Sequence, residues 1–429
     1  MNKTQLKSFL HGSVASMIGV GMLGIMNYFT RRILSVNLSE IDYAFIYSAF
    51  ALISVVMVFL DLGLAQASNI LLAKSFAEND LQKSKKIFTL TFVTKLLLAL
   101  IALVIMEILA PSLAHYYLKY PESTLLLMLM FLLIPTQTLE SSLSCVISAR
   151  KAFTTLNILM NIKAFIVLAG VFVCVKSYGV KSVALYFIAA SITVTVLSFW
   201  IVRHYKITLL PLKTINFKEL KKIFALSSWI AVSTAAISIM YSMDTICLTW
   251  LEGLKTVAMY QIALPVMQIA QSFFVFPMIF TPYVSEMWQK KDYAGIRRTC
   301  YLGSLLMLLT LPVFILVGIY FAPDIISFLF DKKFIDAAPA VTILWSGMVF
   351  FSIASFNMNA LNSGGKQKNV VYMVVPCVLL NLILNIILIP QFSYIGAALA
   401  TAITYFIMAL ASIINLVITF KNHNLKLIS

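Results

Sequence analysis

Lys95 and Lys163 each stand about eight residues inside an apolar run, where an ammonium group costs roughly 2.5 to 3.5 kcal/mol to insert into a bilayer centre. A charge kept at that cost either snorkels to water along its own stem or serves a partner within the membrane, and both readings stand for each lysine. Three acids share the setting, Asp61, Glu140 and Asp244, as candidates for charge partners or proton carriers. Asp61 lies near the end of its run, within reach of surface water. Glu140 belongs to a polar stripe with Gln137, Ser141 and Ser144, and Asp244 flanks a second one, Thr234, Ser238, Tyr241 and Thr245. A third runs Ser352, Ser355, Asn359 and Asn362. Steps of three and four place such residues on one helical face, which lines a cavity or mediates helix packing. Gly21, Gly24, Tyr28 and Arg31 follow the same spacing, with Arg32 adjoining. Guanidinium groups pair with phosphate in a two-pronged fork, so these arginines suit an anionic ligand as well as they suit headgroups.

Other chemistries lack their residues. His11, His115, His204 and His423 are scattered, and Cys145, Cys174, Cys247, Cys300 and Cys377 stand singly, without redox or metal spacing. No catalytic triad or carboxylate pair emerges, and Ser363-Gly364-Gly365-Lys366 lacks the spacing of a nucleotide loop. The expectation is a protein with no catalytic residue, no metal and no cofactor. If it is a transporter, a proton, a sodium ion or the membrane potential would drive it.

The elements that hold these residues follow from composition. Of 429 residues, 61% are hydrophobic and 11% charged, against roughly 25% charged in soluble domains, which excludes a water-soluble globule. Twelve apolar runs approach the roughly 20 residues needed to span a bilayer: 12–34, 43–64, 87–109, 123–147, 154–176, 181–202, 226–250, 257–281, 300–322, 338–362, 370–390 and 395–420. The first follows Lys3 and Lys7 and ends at Arg31 and Arg32, without a small-residue cleavage site, so it reads as an uncleaved span. With the N-terminus inside, 22 of the 32 Lys and Arg fall on the cytoplasmic side and eight outside, with Lys95 and Lys163 left within spans. That bias predicts both termini in the cytoplasm. The net charge of +16 is thus mainly an orientation signal and not a nucleic-acid footprint. Between the sixth and seventh spans, Phe217 to Phe224 reads as a basic amphipathic stretch, with Lys221 and Lys222, at headgroup level.

The halves echo one another. Asp80 with Lys85 and Lys86 matches Asp292 with Arg297 and Arg298 at an offset of 212, while Arg150 matches Lys366, and Ser177-Tyr178 matches Ser393-Tyr394, at 216. Duplicated six-span halves start on the same side and are therefore parallel repeats. The predicted fold is all-α, a polytopic membrane protein of twelve transmembrane helices in two pseudo-symmetric six-helix bundles, 1–210 and 211–429, around a central cavity.

Several stretches resemble the polysaccharide-exporter family of the multidrug/oligosaccharidyl-lipid/polysaccharide flippase superfamily, in particular Wzx-type O-antigen flippases. The strongest is Asn381-Leu-Ile-Leu-Asn385-Ile-Ile-Leu-Ile-Pro390 followed by Tyr394-Ile-Gly396-Ala397-Ala398-Leu-Ala400-Thr401. Asp61-Leu-Gly63-Leu, Val257-Ala-Met-Tyr260, Pro282-Tyr-Val-Ser285-Glu286 and Arg31-Arg32-Ile-Leu add to it. The resemblance implies two six-helix bundles in a V that carry undecaprenyl-pyrophosphate-linked oligosaccharide from the inner to the outer leaflet of a bacterial cytoplasmic membrane by alternating access. The surface polymer would be O-antigen or another polysaccharide, membrane lipids would surround the protein, and other polysaccharide-assembly proteins would be its partners. Carried onto this sequence, Arg31, Arg32, Lys95 and Lys163, with Tyr28 and Tyr241, would bind substrate, and Asp61, Glu140 and Asp244 would be charge partners or coupling groups. A multidrug antiporter of the same fold would favour an acidic, aromatic cavity. A membrane polymerase or ligase would need a long outer loop, whereas the longest outer connections here are Ala110 to Glu122 and Pro323 to Ala337.

Overall fold

The computed structural model describes the backbone of residues 3–61, 63–211, 218–272 and 276–426, and side chains over 19–61, 63–211, 229, 231–268 and 283–420. Among the described residues every regular element is a helix, and no strand occurs. In a hydrocarbon solvent this is expected, because a helix satisfies its own backbone groups. The helices pack into two units, Met1–Ala231 and Val232–Ser429.

The first unit has six helical legs. Helix α1 (Lys3–Asn37) is followed by α2 (Glu40–Asp61), which bends at Gly63 into α3 (Leu64–Ala77). Gly63 has φ 82°, a left-handed value that a side chain would oppose. Next come α4 (Leu81–Ser112) and the pair α5 (Thr124–Phe131) and α6 (Leu133–Ala149). Pro135 cannot donate to a carbonyl one turn back, which accounts for the break between α5 and α6. Helix α7 (Phe153–His204) supplies the fifth and sixth legs, folded at Gly179, whose φ and ψ are 56° and −144°.

The second unit repeats this plan with α8 (Lys218–Leu251), α9 (Leu254–Ser272) and α10 (Phe276–Gln289), α11 (Tyr293–Leu308) and α12 (Leu311–Leu329), α13 (Ala338–Ser363), and α14 (Gln367–Lys426). The fold in α14 is at Ser393, with φ 56° and ψ −136°. Twelve legs therefore stand where twelve apolar runs are read. Eight described stretches are long and apolar enough to cross a bilayer, and two of them, 153–204 and 367–420, hold two legs each.

Two readings change against the structure, and a third falls largely outside the described residues. The equivalent turns lie at 212, 214 and 214: Asn79 and Lys291 have φ 56° and 57°, Lys151 and Gly365 have 60° and 72°, and Gly179 matches Ser393. Asp80 and Asp292 are true counterparts, each capping its helix by accepting from the backbone N–H three residues on, at 2.9 and 2.8 Å. The pairs read at 216 are two residues out of register, because turn geometry and not residue identity fixes the alignment. The two long connections read as outer are also largely helical, since α4 runs to Ser112 and on into a π-turn over Leu113–Tyr117, and α12 runs through Pro323 to Leu329. The amphipathic stretch from Phe217 to Phe224 joins α8 from Lys218 onward, and its side chains lie outside the described residues.

Of the membrane-length stretches described, the one holding α13 is the most buried. In the first unit Phe88, Leu143, Val146, Val194 and Val202 form one apolar cluster with Ile207, from the chain just beyond α7. In the second, Trp345 donates to the Val266 carbonyl at 2.8 Å. A Cβ on Gly347 would lie 3.0 Å from the Ala402 Cα, so α13 and α14 approach at a small residue, as membrane helices commonly do.

Candidate functional site

Among the described residues, the intramembrane acids of the two units sit in polar centres built from different chemistry. In the first, Asp61 ends α2, and its carboxylate accepts from the Ala65 backbone N–H at 3.2 Å, so it caps α3 across the Gly63 bend. The same carboxylate pairs with the Lys95 ammonium of α4. Lys95 Nζ also approaches Ser141 Oγ at 3.5 Å. One residue away, Glu140 Oε2 accepts from Lys163 Nζ at 2.7 Å and from Ser191 Oγ at 3.2 Å. Helix α6 thus places Glu140 against both legs of α7, and Ser141 against α4. Of the options left open for the lysines, the geometry selects intramembrane partners over snorkelling.

The two pairs differ in what can reach them. The Lys95 side chain is 4% exposed and Asp61 35%, whereas Lys163 is 24% exposed and Glu140 16%. An approaching anion would meet the carboxylate of the first pair but the ammonium of the second. Lys163 is therefore the accessible cation, and Lys95 positions Asp61 and the bend it caps.

The arginines do not form one clamp. Arg31 stacks over the Tyr47 ring, 4.4 Å from its centroid, and faces Tyr43, both on α2. Arg32 meets a different ring. Its Nη1 donates to Tyr28 Oη at 3.1 Å, on a groove between α1 and α7 lined by Phe29, Phe165 and Phe172. Adjacent helical positions are about 100° apart, so neighbours in sequence part in space. Tyr28 is the hydrogen-bond partner of Arg32.

The second unit's centre is Asp244 on α8, 4% exposed. Its Oδ2 accepts from Tyr260 Oη and Thr401 Oγ1, each at 2.5 Å. Oδ1 accepts from Asn385 Nδ2 at 2.7 Å and lies 3.5 Å from Asn381 Nδ2. Four elements of the unit, α8, α9 and the two legs of α14, converge on one carboxylate. Asn385 Oδ1 is buried beside it with no hydrogen-bond partner among the described residues. A buried acceptor without a donor costs about 1 to 3 kcal/mol, and a hard cation takes oxygen ligands of this kind. The donor set of carboxylate, amide and hydroxyl oxygens fits a proton or a small alkali ion. Tyr241 stands apart, 44% exposed and edge-on to Phe351.

Tyr260, Asn381, Asn385 and Thr401 were not among the predicted site residues, although all four lie in the stretches that carry the family resemblance. Among the described residues no three His, Cys, Asp or Glu cluster as a metal site, and all five cysteines are free.

Residues 10–288 match the family model described as "Polysaccharide biosynthesis protein". The chain belongs to the polysaccharide biosynthesis protein family. A second model, MatE, matches residues 230–387. An uncharacterized membrane protein of Methanocaldococcus jannaschii is 28% identical over 402 residues, covering 89% of this chain and 78% of that one. A probable low-salt glycan biosynthesis flippase of Haloferax volcanii is 30% identical over 201 residues, 45% of this chain and 41% of the relative. Among solved structures, an inward-facing multidrug resistance MATE family transporter of the MOP superfamily aligns with a TM-score of 0.78 at 11% identity, covering 95% of this chain and 98% of the other. The lipid II flippase MurJ, in an inward closed conformation, aligns at 0.77 with 15% identity, covering 95% and 87%. These likenesses establish the fold. Its described stretches long and apolar enough to cross a bilayer make this member of the polysaccharide biosynthesis protein family a multi-pass membrane protein.

Proposed function

We propose that the protein flips a lipid-linked oligosaccharide from the inner to the outer leaflet of the cytoplasmic membrane by alternating access, drawing on a cation gradient or the membrane potential. The observation that carries this reading is the Lys163–Glu140 pair, an accessible intramembrane cation in a chain of a polysaccharide family. A pyrophosphate group can take the place of Glu140 as the partner of Lys163, while Lys95 keeps Asp61 in position. With undecaprenyl pyrophosphate as the carrier, the version implied by the likeness to O-antigen flippases, about two negative charges move outward. A negative interior favours that by roughly 2.3 kcal/mol per charge per 100 mV.

Asp244 is the proposed coupling group. Taking up a proton or a sodium ion would neutralise a buried carboxylate and give Asn385 Oδ1 a partner, so cation binding is linked to how the legs of α14 pack on α8. The test in cells is deletion of the gene. The expected result is lipid-linked oligosaccharide accumulating on the inner face and loss of surface polymer. Unpolymerised units on the outer face would point instead to a polymerase or ligase.

One observation favours a second reading. The MatE match and the alignment to a multidrug transporter fit an antiporter for organic cations. Drug sensitivity of the deletion strain with normal surface glycan would establish that reading and remove the first.

A further inference from the structure

The duplication supplies an internal control, because what fills a position in one unit can be compared with its counterpart in the other. In the first unit the chain leaves α7, turns back at Lys206 with φ 60°, and runs extended across the seam between α4 and the second leg of α7. Ile207 is 2% exposed in the cluster with Phe88, Phe92, Leu143 and Val202, and the Leu210 backbone N–H donates to Thr89 Oγ1 at 3.0 Å.

The counterparts of Phe88, Thr89, Phe92, Leu143 and Val202, at offsets of 212 on α11 and 214 beyond it, are Cys300, Tyr301, Ser304, Asn357 and Leu416. All five line one open groove of about 760 Å³ between α11, α13 and the second leg of α14. Nothing of the chain crosses it among the described residues. The counterpart of Lys206 is Phe420, which stacks on Trp288 at a centroid distance of 5.7 Å, and α14 continues as helix to Lys426 instead of turning back. The groove is therefore the same seam without its extended apolar strap, widened where Ser304 replaces Phe92.

Its mouth is charged. Arg297 and Arg298 line the end nearest the α10–α11 turn, both exposed. Neither has an ion pair or hydrogen bond among the described residues, whereas nearby Lys290 pairs with Glu286 at 2.6 Å. Two guanidinium groups over an apolar slot match one ligand chemistry, a phosphate head with a hydrocarbon tail.

We propose that this groove binds one anionic phospholipid, its acyl chain lying between α11 and α14 where Ile207–Leu210 lies in the first unit, and its phosphate on Arg297 and Arg298. The site is separate from Lys163 and Asp244, and its occupancy is measurable without any transport assay.

Native mass spectrometry of the purified full chain tests it, with phosphatidylglycerol and phosphatidylcholine offered at equal concentration. One phosphatidylglycerol should be retained with a preference of roughly tenfold or more, as two arginines near an anionic headgroup supply. Replacing Arg297 and Arg298 together by alanine should abolish the preference. Ser304→Phe, which installs the first unit's side chain, and Val417→Trp at the exposed rim should each reduce retention about as much while elution volume stays unchanged. Equal retention of the two lipids, or an unchanged preference without the arginines, would overturn the proposal. Retention intact in both blocked variants would reduce the site to a surface charge patch. Increased retention after deletion of the residues beyond Phe420 would name the chain's own tail as the occupant, and displacement by equimolar polyprenyl phosphate would assign the groove to the carrier lipid. Each of these outcomes also sinks the phospholipid assignment.

Discussion

Lys163 and Glu140 hold each other at 2.7 Å with less than a quarter of either side chain exposed. Removing one partner strands the other, which in buried pairs costs about 3 to 5 kcal/mol, with partial exposure placing this pair at the low end. Lys163→Met alone should lower the melting temperature in detergent, and adding Glu140→Gln should restore most of it while flipping stays lost. No recovery in the double variant would show that the two residues act separately. Asp244→Asn keeps the shape of its site and should leave the melting temperature within a few degrees, but remove its dependence on added sodium or on proton concentration. A cation response preserved in Asp244→Asn would place coupling elsewhere. The four charges of the first unit were legible in the sequence because each interrupts an apolar run. Their pairings were not, since Lys95 and Asp61 are 34 residues apart and Lys163 and Glu140 are 23 apart. The divergence of Arg31 and Arg32 around the helix, one toward Tyr47 and the other toward Tyr28, was hidden by their adjacency in sequence.

Among the elements, the two legs of α7 and of α14 fold at residues with nearly the same backbone angles, Gly179 and Ser393. That region of φ and ψ is close to glycine-only, at a cost of about 1 to 3 kcal/mol for other residues. Ser393→Gly should raise the melting temperature, and Gly179→Ala should lower it. Opposite signs, read by thermal unfolding in one detergent, would contradict the turn geometry on which the repeat alignment rests. Span positions were readable from hydropathy alone, because length and apolarity set them. The bends at Gly63 and Pro135 and the helical continuation past Ser112 and Pro323 were not, since hydropathy carries no signal for a change of helix axis within one apolar run.

For the whole molecule, duplication gave two units of like plan whose polar centres have diverged, paired lysines in one and a carboxylate ringed by amides and hydroxyls in the other. That division suits a transporter in which one unit meets an anionic substrate and the other a driving cation. The excess of basic residues predicts both termini inside, and family membership was legible in the motifs within residues 10–288, from Arg31-Arg32 through Asp61-Leu-Gly63 to Val257–Tyr260. The chemistry of the second centre required the fold, since α8, α9 and α14 bring it together over 157 residues. The most direct measurement of the central claim uses proteoliposomes holding the purified chain and a fluorescent polyprenyl-pyrophosphate oligosaccharide, followed by a glycan-cleaving enzyme outside. With an imposed cation gradient or potential, the cleavable pool should rise beyond the half initially facing outward, and Lys163→Met paired with Glu140→Gln should prevent the rise. A pool that never changes, in vesicles that still accumulate an organic cation, would contradict the account.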